Sequence, residues 1–143
     1  MNHNPINGRC HCGNISYELQ WPVRHPLVGR ACDCDYCTMQ GAVWTSHPEA
    51  PLKLRFQQPN AVVNYRFGHQ TAVFKVCASC GIVPVATCTP QQPQLIAVIN
   101  INTFVDVDIA GITQTPTSFD SENKTSRLQR RQRNWSPVHM ETA

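Results

Sequence analysis

Seven of the eight cysteines in this 143-residue chain fall into three tight clusters. Cys10 and Cys12 form a Cys-x-Cys, Cys32, Cys34 and Cys37 a Cys-x-Cys-x-x-Cys, and Cys77 and Cys80 a Cys-x-x-Cys. This grouping limits the fold more than any other feature, because the chain must return on itself until distant sulfurs converge. Disulfide scaffolds spread their cysteines to close long loops. Clustered cysteines aim several sulfurs at one point, as a metal ion requires. A disulfide framework is the alternative, and metal is the preferred reading. Thiolate-rich sites select zinc or, less often, an iron–sulfur cluster.

A structural zinc ion takes four ligands in a tetrahedron. Cys10/Cys12 and Cys77/Cys80 are short pairs from distant segments, each followed at once by glycine, in Cys12-Gly13 and Cys80-Gly81. Glycine takes the positive φ that turns a chain around an ion and directs backbone N–H groups at the sulfurs. These four cysteines read as a closed structural zinc site that ties the N-terminal segment to the middle of the chain. Cys32, Cys34 and Cys37 supply three sulfurs with no such glycine behind them. Three protein ligands and one open position mark a catalytic zinc site. Cys88 either closes that shell or is a small apolar filler in a strand, and the filler is preferred. A third option is a metal-free, redox-active triad. Asp33 and Asp35 weigh against it, since their charge raises thiol pKa values unless a cation offsets it.

Hydrophobic residues make up 41% of the chain and charged residues 15%, which excludes a disordered polyelectrolyte. The longest apolar run, Leu95 to Ile99, falls far short of the roughly 20 residues of a membrane helix. The opening Met1-Asn2-His3-Asn4-Pro5 does not read as a secretory signal, and a cytoplasmic location is expected. The net charge of +3 is local: Lys124, Arg127, Arg130, Arg131 and Arg133 supply five positive charges, and the rest of the chain carries −2. A nucleic-acid partner is therefore not expected.

Hydrophobic patterning predicts a mainly β protein. Ile15 to Trp21 alternates apolar and polar residues, the signature of a half-buried strand. Val28 to Ala31 leads as a strand into the triad, and Ala42 to Ser46 follows it. Val63, Tyr65 and Phe67 share one strand face, Gly68-His69-Gln70 makes a turn, and Ala72 to Val76 runs back to Cys77. Ile82 to Ala86 is a further strand, which Pro84 confines to an edge or a bulge. Leu95 to Ile101 reads as a central strand buried on both faces. Eleven prolines punctuate these runs, and only residues 121–134 suit a helix. One zinc-binding domain over 1–143 is expected, with a core at about 8–107 and a basic C-terminal segment at 120–143.

Three motifs in order give a specific resemblance. Gly8-Arg9-Cys10-His11-Cys12-Gly13-Asn14-Ile15-Ser16-Tyr17, then Cys32-Asp33-Cys34-Asp35-Tyr36-Cys37 with Gly41-Ala42, then Phe74-Lys75-Val76-Cys77-Ala78-Ser79-Cys80-Gly81 resemble the motifs of the glutathione-dependent formaldehyde-activating enzyme family, to which centromere protein V-like proteins are related. Asn100-Ile101-Asn102-Thr103-Phe104 is similar to the family's late strand. The resemblance implies an Mss4-like β-tent with zinc knuckles at strand ends. It implies two zinc ions: a structural one on Cys10, Cys12, Cys77 and Cys80, and a catalytic one on Cys32, Cys34 and Cys37. It also implies a carbon–sulfur lyase that adds glutathione, as co-substrate, to formaldehyde or a related small aldehyde.

Glutathione carries two carboxylates, and Arg30, Arg66, Lys75 and the basic segment are candidate partners, each with solvated surface charge as the plainer reading. His47 is either a proton shuttle or an exposed loop residue. Trp44 and Trp135 read as packing residues. The readings that compete with a lyase are a non-catalytic zinc-stabilised binding module of the same fold and, behind it, a nucleic-acid-binding zinc protein.

Overall fold

The computed structural model describes residues 2–91 and 93–141. β1 (His3–Arg9) turns through the first cysteine pair into β2 (Ile15–Pro22), antiparallel, with Gly8 opposite Tyr17. The period of two seen in the sequence puts Ile15, Tyr17, Leu19 and Trp21 of β2 in the core. Gly8 lies flat against the Tyr17 ring, where a Cβ would stand 2.1 Å from a ring carbon. The Tyr17 hydroxyl is fixed by Thr103 Oγ1 at 2.7 Å, so the ring cannot give way.

β3 (Val28–Cys32) runs into a short helix, α1 (Asp35–Gln40), and the chain emerges as the two-residue β4 (Trp44–Thr45). β5 (Leu52–Phe56) pairs with β2, Leu54 opposite Tyr17. β6 (Val62–Tyr65) and β7 (Val73–Cys77) form an antiparallel pair. The second cysteine pair joins β7 to β8 (Val85–Gln91), and β9 (Gln94–Asn100) follows it. β10 (Thr113–Thr117) lies parallel to β3. α2 (Lys124–Asn134) packs against β8, and β11 (Ser136–Glu141) completes the set.

The eleven strands make one open, mixed sheet with β9 as its hub. One edge of β9 is filled by β8. The other carries β11 at Ile96 and Ala97 and β4 at Ile99 and Asn100. The Ser136 hydroxyl seals the junction where β4 and β11 meet, accepting the His47 N–H and donating to the His47 carbonyl, both at 3.1 Å. β11 then pairs parallel with β5 from Val138 to Glu141, which ties the β1-β2-β5 wing to the rest. Ile15, Leu19, Leu52, Leu54, Ile99 and Ile101 fill the core between the wings. A second cluster, around Trp44, Phe74, Val98 and Trp135, lies beside α2 and the triad.

The mainly β architecture is as the patterning requires, and α2 forms within 121–134, but α1 (Asp35–Gln40) is a helix outside that range, too short to show an apolar stripe in the sequence. Several elements differ from expectation. Only Trp44 and Thr45 of the 42–46 run form strand, because β3 and β9 leave room for one short pairing there. Residues 82–84 form no strand: Pro84 precedes β8, and its carbonyl accepts the Asn100 N–H at 2.8 Å. β10 and β11 lie beyond residue 107. Thr113–Thr117 is mostly exposed and carries no apolar alternation to announce it.

Candidate functional site

The turns of two hairpin-like connections bring Cys10, Cys12, Cys77 and Cys80 together. Their four sulfurs all lie within 4.8 Å of one another. Cys12 Sγ is 3.8 Å from Cys10 Sγ and 3.5 Å from Cys77 Sγ. Sulfurs on a zinc tetrahedron of roughly 2.3 Å radius stand about 3.8 Å apart, whereas a disulfide needs about 2.05 Å. All eight cysteines are free. Gly13 and Gly81 take φ of 88° and 79°, and each donates its N–H back to the first cysteine carbonyl of its pair. The Ile15 N–H points at Cys10 Sγ at 3.3 Å. Burial raises the Cys10 thiol to about 11, and hydrogen bonds from neighbouring thiols add to this. Burial also opposes ionisation of Cys80, yet the N–H groups of Ile82 and Cys12 and the adjacent thiols outweigh it and bring Cys80 down to about 6. Sulfurs that share protons in this way have the donor chemistry a thiophilic cation needs.

The second set is built differently. Cys32 ends β3, Cys34 caps the N-terminus of α1, and Cys37 sits in its first turn. Their sulfurs also lie within 4.8 Å of one another. The Cys37 N–H donates to Cys34 Sγ at 3.4 Å, and Gly41, at φ 66°, ends the helix. β10 anchors the loop, with the Asp33 N–H donating to the Thr117 carbonyl at 3.0 Å. Tyr36 stacks among Tyr65, Phe67 and Phe74, which holds α1 against β6 and β7. A hydrogen bond from the Cys37 thiol lowers Cys32 to about 6 against the opposing pull of burial, and the same bond pushes Cys37 up. Asp33 acts on Cys32 in the raising direction, as the smallest of these effects. No fourth cysteine joins this set among the described residues. Cys88 is buried in β8 and faces Arg131, as the filler reading has it.

Beside the triad lies a cavity of about 250 Å³. Its walls include the three triad cysteines, the rings of Trp44, Phe67, Phe74 and Trp135, and four arginines, Arg30, Arg127, Arg130 and Arg131. The four-cysteine set is not on it. Arg30 is therefore placed at the triad. Arg66 and Lys75 are not on this wall, and Lys75 donates to Asn64 Oδ1 at 2.9 Å instead. His47 is also elsewhere: its ring packs 4.1 Å from that of His25, and its Nδ1 accepts the Glu49 N–H at 3.0 Å. Burial and the neighbouring His25 lower its pKa. His25, His47 and Glu49 form a third group of potential ligands that their scattered sequence positions do not reveal. The histidine on the cavity wall is His69.

Two features of this wall escape sequence reading. Trp44 donates its indole N–H to Cys37 Sγ at 3.3 Å, so it contacts a triad sulfur as well as packing. Partners of this kind tune a metal ligand, and losing one weakens affinity about 10–100-fold. If the triad holds zinc, Trp44→Phe, which keeps the ring and loses the donor, is expected to weaken that binding by about that factor, read by competition with a chromogenic chelator. The second feature is the inward turn of α2. Arg127, Arg130 and Arg131 are spaced i, i+3, i+4, which places them on one helical face. That spacing sets them on one face but does not say which way the face turns.

Fold and cysteine geometry together define a mixed β-sheet protein whose knuckled strand ends offer one closed and one open set of thiol ligands. The chain belongs to the glutathione-dependent formaldehyde-activating enzyme family, whose model matches residues 5–117. Among solved structures, that of a Rhodobacter sphaeroides protein is similar in fold, with a TM-score of 0.54 and 24% identity. The match covers 76% of this chain and 99% of that one. No curated protein matches the chain.

Proposed function

We propose that the protein is a zinc-dependent carbon–sulfur lyase that adds a thiol, with glutathione as the leading co-substrate, to formaldehyde or a related small aldehyde and releases it in reverse. The observation that carries this reading is the contrast between the two cysteine sets. One has four sulfurs and lies off the cavity; the other has three and forms part of its wall. Cys10, Cys12, Cys77 and Cys80 would hold a structural zinc, and Cys32, Cys34 and Cys37 a catalytic one.

Zinc bound to three thiolates supplies the acidity that keeps an incoming thiol ionised at neutral pH and a Lewis acid beside the aldehyde oxygen. The chain's own residues do the rest. Trp44, Phe67, Phe74 and Trp135 exclude water from the reacting pair. In the forward direction a sulfur–carbon bond forms, the carbonyl π bond breaks, and the thiol proton ends on the new hydroxyl. His69 and Asp120 are wall groups able to carry that proton. Eight unpaired cysteines suit a reducing compartment, and the cytoplasm is the proposed location.

Exchange NMR on an equilibrium mixture of glutathione, formaldehyde and their adduct tests the reading. With zinc-loaded protein, exchange should exceed the buffer rate, and Cys34→Ser should return it to that rate. Exchange at the spontaneous rate with the wild-type protein, metal still bound, would leave a non-catalytic binding module as the answer.

A further inference from the structure

We propose that the cavity beside the triad holds a carboxylate on Arg30 and Arg131, so that the thiol the protein handles is an acidic one. The inference rests on the thiol–aldehyde reading above and names its substrate class. Arg131 comes from α2, outside the residues 5–117 that match the family, and Arg30 from within them.

The wall is rich in guanidiniums. Arg30, Arg127, Arg130 and Arg131 line it with one carboxylate, Asp120, while Asp33, Asp35 and Glu122 lie next to wall residues. Glu122 is already committed: it takes Arg130 in a two-point contact at 2.7 and 3.0 Å and lies 3.5 Å from Arg127. Neither Arg30 nor Arg131 has a carboxylate within ion-pair distance among the described residues. Arginine stays charged when buried, so Arg30 and Arg131 do not lose their charge for want of an ion-pair partner.

Both free guanidiniums are held ready by neutral partners. Arg30 donates to Ser46 Oγ at 2.6 Å. Arg131 donates to Thr71 Oγ1 at 2.7 Å and lies over the Trp135 ring at 4.9 Å. Arg131 is 7% exposed, an unusual state for an arginine with no ionic partner. The polar atoms left over point the same way. Thr117 Oγ1 and Arg131 Nε are buried side-chain atoms that make no hydrogen bond among the described residues, and both residues line this cavity. Arg127 Nε instead lies 3.5 Å from Glu122 Oε1. A carboxylate, with about four lone pairs, is the acceptor a donor-rich wall of this kind suits. The volume of about 250 Å³ lies below the roughly 300–1,000 Å³ usual for drug-sized ligands, which favours a small acid or one acidic arm of a larger one.

Isothermal titration calorimetry on the zinc-loaded protein tests the proposal with three probes: mercaptopropionate, its neutral isostere mercaptopropionamide, and succinate, which has no thiol. Mercaptopropionate should bind at least about tenfold more tightly than the amide, because the bonds it makes are charge-assisted. Arg131→Gln and Arg30→Gln, each checked for a native thermal transition, should remove most of that preference and leave amide binding unchanged. Acid and amide bound equally by the wild-type protein would overturn the carboxylate site while sparing the thiol chemistry. A full preference retained in either folded variant would overturn the assignment to that arginine. Succinate bound with no gain from either thiol would support the anion site and count against the thiol reading.

Discussion

Serine in place of Cys77 is expected to cost the protein its fold. Cys77 ends β7 and is fully buried, its N–H donates to the Ile82 carbonyl at 3.0 Å, and its sulfur lies 3.5 Å from that of Cys12. It therefore stands where the β1–β2 connection meets the β7–β8 connection. A structural zinc contributes about 10–16 kcal/mol of binding free energy to small zinc domains at neutral pH. The net stability of a whole domain is about 5–15 kcal/mol. A hydroxyl is a poor substitute for a thiolate on zinc, so losing this ligand removes an amount comparable to the total. Cys77→Ser should carry one zinc fewer per chain and lack a cooperative thermal transition by circular dichroism. Cys88→Ser is the matched control. It alters an equally buried sulfur that faces Arg131 and belongs to neither cysteine set, so its zinc content should be unchanged and its thermal midpoint only modestly lower. A folded Cys77→Ser with full metal content would refute the closed-site assignment.

The convergence of the cysteine sets was legible in the sequence because residues that meet at one point leave a short-range mark: close spacing and a glycine that can take positive φ. Gly13 and Gly81 have that φ. Strands that alternate or run apolar were legible for a similar reason, as Ile15 to Trp21 and Leu95 to Ile99 show. Leu52–Phe56 alternates just as well, and its pattern, buried at Leu52 and Leu54, was there to be read. β10 and β11 were not legible. Thr113–Thr117 is polar, and Ser136–Glu141 is buried chiefly at its first residue, so both owe their pairing to long-range neighbours. The cavity was hidden for the same reason. Its wall gathers residues from Arg30 to Trp135, and nothing local to residues 124–134 says that their arginines turn inward toward a triad almost a hundred residues away. The run that looked like a solvated basic segment is half-buried at Arg127 and Arg130 and buried at Arg131.

On the two-zinc reading proposed above, brief chelation should separate activity from folding, with the triad losing its metal first. The two sets differ in ligand number, burial and what they hold together. Cys10 and Cys77 are fully buried and bind segments more than sixty residues apart. Cys32 and Cys34 are only half-buried, line an accessible cavity, and lie within one short stretch that β3, β10 and α1 already position. A chelator reaches the triad through that cavity, and three ligands release an ion more readily than four. Removing the ion there leaves sulfurs that can share protons, as Cys32 and Cys37 do, with no strand set free. Metal analysis during dialysis against a chelator should therefore pass through a state with one zinc per chain. That state should keep the native thermal transition and show no catalysed thiol–aldehyde exchange, and added zinc should restore exchange without refolding. Loss of both ions in one step, together with the fold, would mean that the two sets form a single cooperative unit and that the triad is structural as well.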